Sequence, residues 1–174
     1  SEQLGMHLAS HNEQQDQQAK HLSCILRSNP HQVAKPDEIV VPVATLLADS
    51  IDEETPLLIE IFRNYSDDPL HAAKSFLQDY SQKLLQATLC LYFKYGISLE
   101  AHQQNSLAAF DKDGKFCSFL IRDFGGIRIH LPTLQASGHK LKMHRDRLTV
   151  SDDIAVVRNK VIHTVFICHL GELV

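Results

Sequence analysis

A long amphipathic helix is the clearest element that the pattern of apolar and polar residues predicts. Between residues 69 and 95 the apolar side chains recur at alternating steps of three and four, the period of one helix face. The members of this stripe are Leu70, Ala73, Leu77, Tyr80, Leu84, Ala87, Leu91 and Tyr95. At 1.5 Å per residue the helix would be about 40 Å long, and Gly96 is a typical C-terminal stop. Further apolar residues, beginning with Phe76, widen the face and favour a core helix over a partner-binding coiled coil.

A β-hairpin is predicted shortly after this helix. Two apolar runs, Ser106–Phe110 and Phe116–Ile121, flank a turn that ends in Asp113-Gly114. An Asp-Gly pair between two strand-like runs is a strong short-range signal for a tight hairpin. Such a hairpin returns the chain, so the residues that follow the second strand would lie beside those that precede the first.

The remaining elements are less sharply defined. Residues 1–18 are rich in Gln, Asn and His, which is typical of a solvated helix or a disordered lead-in. From Ala19 to Arg27 the apolar spacing predicts a short helix that ends before Asn29-Pro30. Near the end of the chain, the sequence Ser-Asp-Asp at 151–153 resembles a helix N-cap before a strongly apolar helix.

The bulk properties bound the class of protein. A chain of 174 residues is long enough for a single domain with a sizeable core, and its apolar final helix indicates a fragment of a larger protein. A formal net charge of -4 gives no basic footprint for nucleic acid, and no apolar run approaches the ~20 residues that span a membrane. The four cysteines are scattered without a CxxC pair and no secretory signal is evident, so we expect reduced thiols in a cytoplasmic protein.

Polar residues with the donor types of a nucleotide-Mg²⁺ site lie on both sides of the predicted hairpin. They are Glu100, His102, Gln104 and Asn105 before it, and Arg122 and Asp123 after it. Mg²⁺ takes oxygen ligands, usually one or two carboxylates together with phosphate oxygens and waters. Asp123 with Glu100 or Asn105 could supply the protein ligands. His102 and Arg122 would then meet phosphate or developing charge. Taken singly, each residue is better explained as a helix cap or an ordinary turn, but the complete set favours a site.

The chain has eleven histidines, and the sequence gives a chemical task to one of them. His102 lies among an acid and two amides, whereas the others do not cluster. His163 and His169 are six positions apart in the late helix, which places them on different faces rather than in an i,i+4 ligand pair. His102 is therefore the one histidine predicted to belong to the site.

The residues around this cluster resemble a known enzyme family. Residues 95–105 read YGISLEAHQQN, which is similar to the YGI-x-LEAH-x-QN segment of the siderophore synthetases that work without a peptide-synthetase template. The end of the hairpin, RDFGG at 122–126, is similar to the RD-x-x-G pattern that follows in this family. The sequence LRSNP at 26–30 and the late helix, with HT at 163–164 and HL at 169–170, are also similar. The chain thus resembles the C-terminal portion of these aerobactin-synthetase-like enzymes, called NIS synthetases.

This resemblance implies a fold and an activity. The fold would be α+β, with long helices packed on a small antiparallel sheet that contains the hairpin, and the predicted elements agree with it. The activity would be that of an ATP-dependent ligase, in which a citrate-type carboxylate is adenylated and condensed with an amine, hydroxylamine or alcohol. The resemblance assigns the ATP site to His102, Gln104, Asn105 and Asp123. It makes His102 the catalytic residue near the α-phosphate, and Glu100, Asp123 and Asn105 the Mg²⁺ ligands.

The chain departs from the family's pattern in one respect. The Ser/Thr-Arg loop, the lysine and the arginine that bind phosphates in the family's N-terminal part have no match among the 174 residues. We therefore expect this chain to carry the Mg-ATP-binding half of the site and not to turn over alone. The sequence leaves open a homo-oligomeric full-length form.

Two other functions are compatible with the same residues. In kinase-like small-molecule phosphotransferases, a histidine and an asparagine follow a catalytic acid at two and five residues, and a metal-binding Asp comes after a hairpin. Glu100, His102, Asn105 and Asp123 have this spacing, although a glutamate replaces the expected aspartate and no Gly-rich loop precedes it. The third possibility is a non-catalytic helical interaction domain.

Overall fold

Helices packed against small β-sheets make up the described part of the chain. The computed structural model describes residues 2–6, 24–27, 29–49, 51, 55–141 and 149–173. The helices are α1 (Pro30–Val33), α2 (Leu57–Arg63), α3 (Pro69–Tyr95), α4 (Leu131–Ala136) and α5 (Ile154–Val161), with 3-10 turns at Val43–Leu47 and Gln103–Asn105 and a π-helix at Ile162–Leu170. The strands are β1 (Glu2–Met6), β2 (Cys24–Arg27), β3 (Ile39–Pro42), β4 (Ile97–Ser98), β5 (Ser106–Phe110), β6 (Phe116–Ile121), β7 (Arg128–His130) and β8 (Val150–Ser151). The predicted α+β class is confirmed.

Helix α3 has the bounds that the apolar spacing predicted. Asp68 caps its first turn by accepting a hydrogen bond from the His71 amide at 2.7 Å, and Gly96 ends it in the left-handed conformation at φ +67°. The buried residues are Ala72, Phe76, Tyr80, Leu84 and Thr88. This buried row steps by four, whereas Leu70 at the head of the predicted stripe is 65% exposed. The apolar spacing therefore predicted the helix correctly, but it did not show which residues of the wide apolar face are buried.

The predicted hairpin is confirmed. Strand β5 pairs antiparallel with β6 from Ser106 opposite Ile121 to Phe110 opposite Phe116, and β3 pairs with the other edge of β5. Gly114 closes the turn at φ +71°, a conformation that costs glycine little. The inner face of this sheet packs on α3, where the rings of Phe76, Tyr80, Phe110 and Phe116 belong to one buried cluster.

A second three-stranded sheet joins the end of α3 to the last helices. Strand β7 pairs antiparallel with β4 and parallel with β8. Asp153 caps α5 by accepting a hydrogen bond from the Ala155 amide at 2.9 Å, as the Ser-Asp-Asp sequence predicted. The chain then continues into the π-helix, where the sequence predicted one ordinary helix.

The first strands differ from the prediction. Cys24–Arg27 is a strand that pairs with Glu2–Met6, so the helix predicted across these four residues is wrong. Apolar residues over such a short run are compatible with a strand as well as with a helix. The partner strand lies some twenty residues earlier, so the apolar spacing within the run does not reveal it. Glu2–Met6 is likewise a strand within the segment predicted as a solvated helix or disordered lead-in, and residues 7–18 lie outside the described residues. Across the described ranges, the helices are too short or too polar to span a bilayer.

Candidate functional site

The β5–β6 hairpin brings the two halves of the predicted site to one end of its sheet. Asn105 directly precedes β5, and its peptide oxygen accepts a hydrogen bond from the Arg122 amide, directly after β6, at 2.9 Å. The Arg122 guanidinium also donates to the carbonyl oxygen of Gln104 at 3.0 Å. The segment that holds Gln104 and Asn105 and the turn that begins at Arg122 therefore lie side by side.

Asn105 and His102 are directly hydrogen-bonded. His102 is the N-cap of the short 3-10 turn Gln103–Asn105, and Asn105 is the last residue of that turn. The carboxamide nitrogen of Asn105 lies 3.3 Å from Nε2 of His102, and because this nitrogen can only donate, Nε2 accepts and Nδ1 is the ring nitrogen that carries the N–H. The carboxamide oxygen of Asn105 takes no part in this bond. Asn105 is buried and His102 half-buried, so the pair lies at the boundary between core and solvent.

Asp123 adopts an unusual backbone conformation. Its φ of +66° lies in the left-handed region, which costs a non-glycine residue about 1–2 kcal/mol, less for Asp and Asn than for other side chains. Its carboxylate oxygen Oδ1 accepts a hydrogen bond from the Gly125 amide at 3.2 Å. Conformations of this kind are concentrated at functional sites. The turn therefore gives the carboxylate of Asp123 a fixed direction immediately after β6.

Glu100 is enclosed between helix α5 and the glycine turn. Its Oε1 accepts a hydrogen bond from Nζ of Lys160 at 2.5 Å, and the two side chains are only 25% and 18% exposed. On its other side, a Cβ at Gly126 would overlap both oxygens of the Glu100 carboxylate. Gly126 is thus required by the position of Glu100. Glu100 was predicted to belong to the site, but its partner Lys160 was not, because no pattern in the sequence relates the two residues.

A buried histidine lies behind the site. Nδ1 of His169 donates to the carbonyl oxygen of Ala101 at 2.7 Å, and the hydroxyl of Tyr80 is 2.6 Å from its Nε2. His169 is fully buried. Burial lowers the pKa of His169, against the opposing effect of its hydrogen bond to Ala101, and nearby His102 lowers it further. Burial also raises the pKa of Tyr80. The ring is therefore neutral, with Tyr80 as donor to Nε2.

No role for His169 was predicted from the sequence. The six-residue spacing predicts that His163 and His169 lie on different faces, and the two rings do have different surroundings. The available signal was a single histidine within the apolar run Ile167-Cys168-His169-Leu170. A buried imidazole in such a run requires hydrogen-bond partners, but the sequence does not say which.

The predicted Mg²⁺ ligands are Glu100, Asn105 and Asp123. In the part of the chain that the structure describes, no group of three or more His, Cys, Asp or Glu side chains is placed to hold a metal ion. One of the three predicted ligands is an amide, and Mg²⁺ that arrives with a nucleotide takes most of its ligands from phosphate and water. The ligand set and the catalytic role of His102 therefore stay predictions.

Comparison with known proteins identifies the family. The family model described as "Ferric iron reductase FhuF-like transporter" matches residues 74–174, more than half of the chain. The D-ornithine–citrate ligase of Staphylococcus aureus is 32% identical over 183 residues, which cover 99% of this chain and 28% of that protein. The chain thus spans about 28% of the length of this curated relative.

Solved structures share the fold. The petrobactin biosynthesis protein AsbB of Bacillus anthracis superposes with a TM-score of 0.77 at 21% identity, over 97% of this chain and 28% of that one. The aerobactin synthetase IucC of Klebsiella pneumoniae superposes with a TM-score of 0.68 at 25% identity, over 84% of this chain and 26% of that one. The resemblance in the sequence is confirmed, and the chain belongs to the FhuF-like family that forms the C-terminal portion of NIS siderophore synthetases.

Proposed function

We propose that this chain is the Mg-ATP-binding half of the site of an ATP-dependent siderophore synthetase. The enzyme would adenylate a citrate-type carboxylate and condense it with an amine, hydroxylamine or alcohol. The observation that carries the proposal is the 2.9 Å hydrogen bond from the Arg122 amide to the Asn105 carbonyl, because it joins the two loops that hold the candidate ligands. The name of the Staphylococcus aureus relative, a D-ornithine–citrate ligase, supports a citrate-type acid and an amine as substrates.

The condensation requires an activated carboxylate, and in the proposed reaction ATP activates it. A free carboxylate does not form an amide with an amine in water, because neither of its oxygens is a good leaving group. ATP supplies the activation: a carboxylate oxygen bonds to the α-phosphorus, and pyrophosphate leaves. The amine nitrogen then bonds to the acyl carbon, AMP leaves, and the nitrogen loses a proton.

The side chains of the site suit the polar part of this nucleotide. Asp123 offers a carboxylate and Asn105 a carboxamide oxygen, the hard oxygen donors that Mg²⁺ prefers. Glu100 adds a second carboxylate, one oxygen of which already accepts a hydrogen bond from Lys160. The donor set therefore fits a magnesium ion that is shared with a triphosphate.

His102 and Arg122 supply hydrogen-bond donors. Because Nε2 of His102 accepts from Asn105, the N–H at Nδ1 is the donor that remains for a phosphate oxygen. The guanidinium of Arg122 has five N–H groups, and one nitrogen is used by the carbonyl of Gln104. Donors held in place by such contacts stabilise charge that develops in a transition state.

The test is an assay of phosphate products with the full-length protein. With citrate, ATP and hydroxylamine, we expect release of pyrophosphate and AMP that requires both citrate and Mg²⁺. Asp123→Ala should abolish this release. Asp113→Ala is the matched control, because Asp113 is an exposed acid at the opposite end of the same hairpin, paired with Lys112.

Two outcomes would contradict the proposal. Release of ADP with an alcohol acceptor would identify a kinase-like phosphotransferase instead. An absence of nucleotide turnover, together with an unchanged melting temperature in Mg-ATP, would favour a non-catalytic interaction domain.

A further inference from the structure

Three side chains of the last helical segment contact three successive residues that lead into the candidate site. Lys160 donates to the carboxylate of Glu100 at 2.5 Å, and His169 donates to the carbonyl of Ala101 at 2.7 Å. The hydroxyl of Thr164 lies 3.3 Å from the carbonyl of Leu99 and 2.9 Å from that of Lys160. One helix face is therefore connected to each residue from 99 to 101.

A contact in the opposite direction completes this connection. The side-chain nitrogen of Gln103 donates to the carbonyl oxygen of His169 at 3.2 Å. Ala101 and Gln103, the two neighbours of His102, are thus both hydrogen-bonded to His169. His102 itself stays half-buried, with its ring hydrogen-bonded to Asn105.

The π-helical geometry brings His169 to this face. Lys160 and Thr164 are four residues apart, as neighbours on an α-helix face are. An α-helix would continue the row with Cys168. In the π-helix, whose hydrogen bonds join residues five apart, the next residue on the row is His169. Cys168 instead lies against the exposed ring of His163, with its sulfur 3.5 Å from Nε2.

His169 is itself fixed from the core. The carbonyl of Ala101 can only accept a hydrogen bond, so Nδ1 of His169 carries the proton. Nε2 then accepts from the hydroxyl of Tyr80, a fully buried residue of α3. The chain Tyr80–His169–Ala101 therefore links the central helix to the peptide between Glu100 and His102.

We propose that Lys160, Thr164 and His169 are positioning residues, which orient Glu100 and His102 toward the nucleotide. Lys160 holds the carboxylate of Glu100, whereas Thr164 and His169 hold the backbone carbonyls of Leu99 and Ala101. The role toward the nucleotide rests on the proposed function. The restraint on the backbone does not, because it follows from the contacts of the folded chain.

The test compares variants of the full-length protein. His169→Leu removes both ring nitrogens, and His169→Asn restores a donor near the place of Nδ1. His163→Leu is the matched control, because His163 lies on the same π-helix with an exposed ring away from the site. Thr164→Val removes one hydroxyl and keeps the branched shape. Two readouts are measured: hydrogen exchange of the amides of residues 99–105, and kcat and KM for Mg-ATP.

We expect His169→Leu to speed amide exchange in residues 99–105 by about tenfold or more, without a similar change in the hairpin strands. The value of kcat/KM should fall about 10- to 100-fold, because a displacement near 1 Å at a reacting centre can cost as much. His169→Asn should recover most of both losses, and His163→Leu should match the wild type. Thr164→Val should show a smaller change in the same direction.

The proposal is overturned if His169→Leu lowers the melting temperature but leaves exchange and kcat/KM unchanged, since the ring then serves packing alone. It is also overturned if a folded His169→Asn protein behaves like His169→Leu. Should His169→Leu fail to fold, the Asn and Val variants decide by the same two readouts. If the wild type shows no turnover of ATP, the proposed function fails, and the exchange comparison still decides whether these residues hold the segment.

Discussion

The substitution Gly126→Ala probes the enclosure of Glu100 directly. A Cβ at this position would overlap the Glu100 carboxylate, whereas a Cβ at the neighbouring Gly125 would meet Oδ1 of Asp123 at an ordinary 3.4 Å. Neither glycine has a positive φ, so a methyl group strains neither backbone. Gly125→Ala is therefore the matched control, with the same chemical change one residue away.

The expected cost follows from what the methyl group displaces. Glu100 must move away from Gly126, and its hydrogen bond with Lys160 is lost or distorted. A charge-assisted bond between groups as little exposed as these contributes about 1–2 kcal/mol to stability. Gly125→Ala should be neutral or stabilise by up to about 1 kcal/mol, because alanine restricts the unfolded chain. The two variants should therefore differ by about 2 kcal/mol in the free energy of unfolding.

Urea denaturation with a double-mutant cycle measures this difference. The cycle combines Gly126→Ala with Glu100→Ala. In the Glu100→Ala background the methyl group has space, so Gly126→Ala should cost less than about 0.5 kcal/mol. The coupling energy should be about 1–2 kcal/mol. If Gly126→Ala destabilises equally in both backgrounds, or no more than Gly125→Ala in the wild type, the described position of Glu100 is wrong.

Three further predictions concern the C-terminal end of α3, the metal site and pH. Gly96→Ala should destabilise by about 1–3 kcal/mol in urea denaturation, because Gly96 has φ +67° and a Cβ would lie 2.8 Å from that of Thr133. Gly138→Ala, at φ +85° with open space around it, should cost only about 1 kcal/mol. Asp123→Ala should abolish the stabilisation by Mg-ATP in a thermal shift, which is about 2.7 kcal/mol at a hundredfold excess over Kd. Burial lowers the pKa of His169, so below about pH 6.5 the unfolded state binds a proton that the folded state does not. Stability should therefore fall as the pH drops from about 6.5, and His169→Asn should reduce this slope by up to about 1.4 kcal/mol per pH unit.

Each of these predictions has an outcome that contradicts it. Equal costs for the two glycine variants would show that Thr133 does not restrict position 96. A full Mg-ATP shift in Asp123→Ala would remove this residue from the metal site. A slope in His169→Asn that matches the wild type would show that His169 is not the group that titrates.

The elements that the sequence predicted well are those whose causes are local. The cap at Asp68 involves an amide three residues away, and Gly114 occupies a left-handed turn that its own lack of a Cβ favours. The register of the hairpin follows from that turn. The proximity of Asn105 and Arg122 could therefore be predicted from the Asp113-Gly114 pair.

The contacts that the sequence did not reveal join distant positions. Lys160 is sixty residues from Glu100, and His169 is 68 residues from Ala101. No local pattern relates these pairs. The sequence also gives no sign of the π-helix, which decides that His169, rather than Cys168, follows Thr164 on the same helix face. The resemblance to a family identified candidate site residues before and after the hairpin. It did not indicate which other residues hold them in position.

The central claim is that the loops joined by the hairpin bind the magnesium ion of Mg-ATP. A crystal structure of the full-length protein with Mg²⁺ and a non-hydrolysable ATP analogue tests it most directly. The account predicts a cation about 2.1 Å from a carboxylate oxygen of Asp123, with the triphosphate within hydrogen-bonding reach of His102. A nucleotide bound elsewhere, with Asp123 and Asn105 both free of the metal, would contradict it.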